Sequence, residues 1–466
     1  MAGWDTLSSL LREELKQRTE EGCDVTGYAE RVEAAIAAAA AGAGEQPLDE
    51  VYDALMALPV AASFPYVEPN DLAAIRAARP AATILLPRLA DDAAAADRFL
   101  GAWLGRSAGC ALGKPLEAGP YMAGGCGNPG WRNVQLWFEG ADAWPIRGYT
   151  PEHSRAETDP GLHIGGYSLP CTREHIRYMQ TDDDIRYTVL GLIMLEERGL
   201  DFDTWDVGKL WHARLTYGQV CTAETQAYLN FGRVTSHMQR SRPPDAEERL
   251  AWVRTYRNPY REWIGAQIRA DAWGYAAAGN PELAAELAWR DAALSHVKNG
   301  IYGEMFAAAM IAAAFVEPDP AAIVAAGLAQ IPARCRLAEA VARAATLAQA
   351  ATSQIDLVSA LWDAFGHYHP VHTINNAALV AAALIYAAGD FETAIATAVL
   401  GGWDTDCNGA TVGSIMGAAL GAAALPAQWV DPLNDTLYAE IPGFHPIAIS
   451  ECARRTHAAW ARTGGR

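Results

Sequence analysis

Apolar residues recur at helical spacing near the start of the chain, at Leu7, Leu10, Leu11 and Leu15 and again at Val51, Leu55 and Leu58, until Pro59, Pro65 and Pro69 break the pattern. This predicts a helical N-terminal extension over residues 1–92. Its alanine tract, Ala35–Ala41, favours helix by propensity, with a low-complexity linker as the alternative. From Asp97 onward helical periods dominate and alternating Val/Ile/Thr segments are few, so residues 93–466 read as an all-α domain with a single core. The apolar runs Met305–Val316 and Ala377–Ala388 stop short of the ~20 residues a membrane span needs and read as buried helices.

Two features interrupt the helical pattern. Residues 119–180 are rich in Gly, Pro, Trp and Tyr, a stretch too long and irregular for an ordinary connection. It reads either as a lid or as an insert packed on the surface. Its Trp131, Trp137 and Trp144 could stack a base or sugar, although in a chain with 15 tryptophans each is more simply explained by packing. The second feature is a pair of glycine ladders, Gly101, Gly105, Gly109, Gly113 and Gly409, Gly413, Gly417, Gly421, each on one helix face. A glycine inside a helix costs about 0.5–1 kcal/mol against alanine, so four in register imply the close approach of another backbone.

The formal net charge of −19 argues against a surface built for nucleic acid or anionic lipid. The first 18 residues mix charges with apolar positions and carry no signal-peptide core, which predicts a cytoplasmic protein with no membrane partner. Eight cysteines without a CxxC pair or zinc spacing read as reduced thiols.

The chemistry concentrates in two acidic clusters, Thr181-Asp182-Asp183-Asp184 and Asp404-Thr405-Asp406, each at the predicted start of a buried helix. Free backbone N–H groups and the helix dipole favour oxygen anions there, so either cluster alone serves as an N-cap with first-turn acids. Brought into one cleft, the carboxylates would repel each other. A hard divalent cation such as Mg²⁺, which takes oxygen ligands, removes that penalty.

Four segments in this order resemble the ADP-ribosylglycohydrolase family of all-α metal hydrolases. They are Asp97–Gly105 continuing through Gly109-Cys110-Ala111-Leu112-Gly113 to Glu117; Thr181-Asp182-Asp183; Gly265–Arg269 with Ser295-His296 and Asn299-Gly300; and Gly401-Gly402-Trp403-Asp404-Thr405-Asp406-Cys407-Asn408. The resemblance implies two Mg²⁺ ions, with Mn²⁺ as an alternative, held by Thr181, Asp182, Asp183, Asp404, Asp406 and the Cys407 position. It implies catalytic roles for Glu117, Asp183 and Asp404, and substrate contacts from His296, Arg269, Gly265 and Asn299. The implied reaction is hydrolysis of an N- or O-glycosidic bond at ribose C1 of an ADP-ribosylated protein or a related ribosyl nucleotide or metabolite. A carboxylic acid assists the leaving atom while neighbouring carboxylates stabilise an oxocarbenium-like centre.

The sequence also departs from the family's pattern. Cys407 stands where a hydroxyl ligand is usual, Cys110 replaces an aspartate, Asp184 replaces a threonine and reads as a helix cap, and Glu262-Trp263-Ile264-Gly265 lacks paired glycines in the phosphate loop. A thiol is a poor partner for Mg²⁺. Two other readings therefore stand beside the first: a non-catalytic binding or structural relative, and a metal-dependent phosphoesterase.

Overall fold

A computed structural model describes residues 5–81, 84, 86–90, 93–236, 238–239 and 241–463. The described chain is almost wholly helical, and its strands are two short antiparallel ones, Thr436–Leu437 and Ile447–Ala448, paired Thr436 to Ala448 and Leu437 to Ile447. The predicted all-α class is the observed one. Many helices begin where a short polar side chain accepts a backbone N–H, as at Asp71, Asn280, Asp319, Ser353 and Asp390.

The N-terminal segment folds as the helices Leu7–Glu20, Tyr28–Ala38, Gln46–Met56 and Leu72–Ala78. Pro59, Pro65 and Pro69 all lie in the gap before the fourth helix. The alanine tract is helical to Ala38 and then widens into a π turn, Ala39–Ala43, in which Gly42 takes a positive φ. The first three helices enclose a small core of their own, with Leu10, Leu11, Val32, Leu48 and Leu55 buried. This core docks through buried charge: Arg261 meets Glu14 at 2.8 Å and Glu21 at 2.9 Å. The predicted boundary at residue 92 lies outside the described residues, and the next helix begins at Ala93.

The large core is built from helices buried nearly all round. Lys298–Ala314 and Thr373–Ala387 contain the two apolar runs, and among the described residues no helix is long and apolar enough to cross a membrane. The stretch 119–180 contains the helices Gly119–Met122 and Gly130–Gly140 and 3₁₀ turns at Arg155–Glu157 and Gly166–Cys171, joined by longer non-helical segments. Trp137 is core, its Nε1 donating to the Pro151 carbonyl at 2.9 Å, and Trp131 and Trp144 pack partly buried against the same core.

The two glycine ladders face each other. Helix Ala93–Gly113 lies against helix Thr405–Leu420 so that Gly101, Gly105 and Gly109 oppose Gly417, Gly413 and Gly409. A Cβ added at any of these six would fall within 3.0 Å of a backbone carbonyl oxygen of the facing helix. At the end of the seam Gly113 abuts Thr405, whose Oγ1 donates to the Gly113 carbonyl at 2.9 Å.

Helix propensity alone would make Gly109→Ala stabilising by up to ~1 kcal/mol. Because the new methyl has no space, we expect overpacking to prevail with a net loss of about 1–3 kcal/mol in urea unfolding. Gly218→Ala, where an added Cβ meets nothing within 4 Å, serves as the control and should leave the midpoint nearly unchanged.

Candidate metal centre

The glycine seam delivers three chain segments to one place. Helix Ala93–Gly113 runs out into a 3₁₀ turn, Lys114–Leu116, followed by Glu117. Opposite it lie the N-termini of helices Asp183–Arg198 and Thr405–Leu420. Both helix starts bring positive dipole ends to the same acidic group, which lowers the cost of gathering anions there.

Asp182 is the N-cap of its helix, its side chain accepting the Asp184 N–H at 3.0 Å. Its other oxygen is ion-paired with the Lys114 ammonium, which is itself buried. Burial would raise the Asp182 pKa, but Lys114 overrides it and holds the carboxyl at about 2. Asp184 is not the cap. It is fully buried against Arg106, whose guanidinium donates to Asp184 Oδ1 at 3.0 Å and meets Asp271 at 2.6 Å. Asp183 is half-buried between them in sequence, and burial together with the Asp182 charge pushes it up to about 7.

The second cluster enters from a strained turn. Gly402 and Trp403 both have positive φ, 70° and 57°, and for an indole-bearing residue this conformation costs on the order of 1–3 kcal/mol. Packing holds it: Trp403 is buried and stacks on Trp362 at 5.2 Å, and Trp362 Nε1 donates to the Gly401 carbonyl at 2.6 Å. Asn376 Oδ1 then receives the Asp404 N–H at 3.3 Å and the Asn408 side chain at 2.7 Å, fixing the first turn. Asp404 and Asp406 are 4% and 2% exposed, and the Oδ1 atom of each has no hydrogen-bond partner. Burial, then the Asp182 charge, lifts Asp406 to about 6; burial and the Asp406 charge raise Asp404 well above the carboxylate range.

The two clusters meet. Ligand atoms of Cys110, Asp182, Asp184 and Asp406 all lie within 4.8 Å of one another, as do those of Asp404, Asp406 and Cys407. Asp406 belongs to both groups. Both thiols are raised far above their ordinary pKa, first by burial and then by neighbouring carboxylates, so they add no charge. Glu117 is half-buried at the edge, where burial and the charges of Asp406 and Asp182 raise its pKa well above the usual range. Tyr167, an exposed residue of the 119–180 stretch, donates its hydroxyl to Glu117 Oε2 at 2.8 Å and sets its ring 5.2 Å from the Lys114 ammonium. That stretch therefore reaches the rim of the site. The partnerless oxygens of Asp404 and Asp406, among carboxylates that outnumber the nearby ammonium, fit a divalent cation.

The other expected residues have internal partners. Thr181 Oγ1 accepts from Arg186 at 3.2 Å. Arg269 is ion-paired with Glu224 and Asp291, and Gly265 leaves room for that Glu224 carboxylate, since a Cβ there would lie within 3.0 Å of it. His296 is fully buried with Nδ1 2.8 Å from Ser295 Oγ, and burial lowers its pKa well below the ordinary value. Asn299 bonds to Glu68 and Glu262 at 2.8 Å each, and Glu262 also accepts from Gln17 of the first helix at 2.8 Å. Apart from His296 Nε2, which is buried without a hydrogen-bond partner, the polar side chains expected on the substrate side are held in buried networks, one of which anchors the N-terminal helices.

Sequence reasoning missed Lys114, Tyr167, Arg106 and Asn376. Lys114 had a signal, the lone basic residue in the run Gly-Cys-Ala-Leu-Gly-Lys-Pro-Leu-Glu. Tyr167 had none, because its role depends on a loop path.

Comparison with known proteins bears on this arrangement. No curated protein matches the sequence. A solved structure described as an ADP-ribosylglycohydrolase-related protein complex is similar at 21% identity and a TM-score of 0.46, over 78% of this chain and 98% of that one. At that score the likeness carries no argument. The family model described as ADP-ribosylglycohydrolase matches residues 91–461, which include both glycine ladders, Glu117 and both acidic clusters. The chain belongs to the ADP-ribosylglycohydrolase family.

Proposed function

We propose that this protein is a metal-dependent hydrolase that cleaves the glycosidic bond at ribose C1 of an ADP-ribosylated protein or an ADP-ribose-like ribosyl nucleotide. The observation that carries the reading is the convergence of Asp182, Asp404 and Asp406 beside Glu117, with two buried carboxylate oxygens left unpartnered.

Asp404 and Asp406, joined by Asp183, would hold a divalent cation, with Mg²⁺ or Mn²⁺ matching the oxygen donors. When bound, such an ion supplies a grip on ribose hydroxyls and an oriented water. The chain's own groups do the rest. Glu117, whose carboxyl is raised by burial and by the charge of Asp406, is placed to donate a proton to the leaving atom. Tyr167 orients the Glu117 carboxyl from the rim. The carboxylates stabilise positive charge as it develops at the anomeric carbon. The helix seam keeps these groups rigid, which limits the reorganisation cost in the transition state.

A non-catalytic reading is favoured by one observation: Lys114 neutralises Asp182, as a bound ion would. Incubation with Mg²⁺ or Mn²⁺ and ADP-ribosyl-arginine, ADP-ribosyl-serine or a nicotinamide ribosyl nucleotide separates the two. We expect free ADP-ribose or ribose phosphate from at least one; no product from any would favour the binding protein. Asp404→Ala and Asp183→Ala should each abolish turnover with the far-ultraviolet circular dichroism unchanged, and full activity in either would remove that residue from the site. Glu117→Gln should lower kcat by about 10²–10⁴-fold without altering Mn²⁺ affinity.

Crowded carboxylates destabilise the metal-free fold, and a bound cation reverses this. Adding Mn²⁺ should therefore raise the melting temperature. In Asp406→Asn the metal-free midpoint should rise while the metal-induced shift disappears. A shift retained in that variant would show that the ion binds elsewhere.

A further inference from the structure

The acids of this site do not face an open cavity on all sides. Lys114 leaves the seam one residue beyond Gly113, and Gly113 is pinned against Thr405, so the start of the lysine side chain has little freedom. Its ammonium lies inside the cluster, bonded to Asp182, with the Tyr167 ring on its outer side. The side chain is 5% exposed and that of Asp182 3%, so water contributes little to this pair. Asp182 in turn shares the first group of ligand atoms with Asp406. Asp404 Oδ1 and Asp406 Oδ1, by contrast, are buried and have no partner, next to Cys407, although the Asp406 carboxyl also feels the Lys114 charge.

We infer that Lys114 is a resident cation that fills one half of the acidic centre, so that this chain binds a single divalent ion, on the Asp404–Asp406 side, rather than two. The donor inventory of each half supports this. On the Asp182 side one Asp182 oxygen caps the helix and the other meets Lys114, while Asp184 gives Oδ1 to Arg106 and keeps only Oδ2 without a partner. No carboxylate oxygen of Asp182 is left to a metal unless Lys114 moves. A divalent ion placed there would also sit beside a fixed ammonium and be repelled by it. On the other side the two orphaned oxygens bear the cost of burial without compensation, and an ion supplies it. The inference rests on the metal-centre reading of the site but not on any hydrolytic activity.

Mn²⁺ titration of the purified protein, followed by electron paramagnetic resonance of free Mn²⁺ and by calorimetry, tests it by stoichiometry. We expect one ion per chain in the wild type, two in Lys114→Met, and one in Lys114→Arg, which keeps the charge. Two ions in the wild type, or one in a folded Lys114→Met, would overturn the inference. Should Lys114→Met fail to fold, Asp182→Asn and Asp404→Asn decide the matter: the first should retain the single ion and the second lose it, and the reverse pattern would overturn it. The outcomes also separate this inference from the proposed function. One bound ion without hydrolysis of any ADP-ribosyl substrate leaves the inference standing and removes the hydrolase, whereas two bound ions with hydrolysis do the opposite.

Discussion

The backbone-to-backbone contact between helices Ala93–Gly113 and Thr405–Leu420 sets the position of everything else in the site. Three glycine pairs and the Gly113–Thr405 abutment bring the two axes closer than side chains would allow. The contact ends at the residues of the candidate metal centre: Lys114 and Glu117 follow one helix, and Asp404 and Asp406 flank Thr405 at the start of the other. Because helices are stiff, a seam several turns long fixes the separation of these groups better than any loop could.

Crowding so many acids demands cations, and the structure supplies them unevenly. Arg106 answers Asp184 and Asp271, Lys114 answers Asp182, and Arg186 tempers Asp183. Asp404 and Asp406 form no ion pair among those of the described residues, and each has a buried oxygen without a hydrogen-bond partner, as Asp184 Oδ2 also does. The uneven distribution turns a group of helix caps into a candidate ion site with a defined open side. It also explains why Cys110 and Cys407 are tolerated: as buried neutral thiols they fill space without adding charge.

The N-terminal helices illustrate how similar motifs can be put to different ends. Glu262 lies in the segment that resembles a phosphate loop, yet it accepts from Gln17, Asn299 and Arg336. Arg261 beside it is clamped by Glu14 and Glu21. These buried pairs tie the extension to the large domain, and removing one partner of such a pair typically costs about 3–5 kcal/mol.

Much of this was legible in the chain. The period of the apolar residues determined an all-α fold, the prolines at 59, 65 and 69 marked the break in the extension, and the ladders required a backbone at close quarters. These are local properties, written in spacing of three or four residues. Helix starts at both acidic clusters followed from the same local rules, although Asp182 rather than Asp184 is the cap. What the chain could not reveal was partnership: that one ladder packs on the other, that Lys114 reaches Asp182 across 68 positions, that Tyr167 covers Glu117, or that Arg269 and Asn299 are spent inside buried networks. A long side chain has many acids of opposite charge within reach of its sequence neighbourhood and none that local spacing prefers. Only the packed backbone selects among them, because the ion pair formed is the one whose ends the seams bring together out of water.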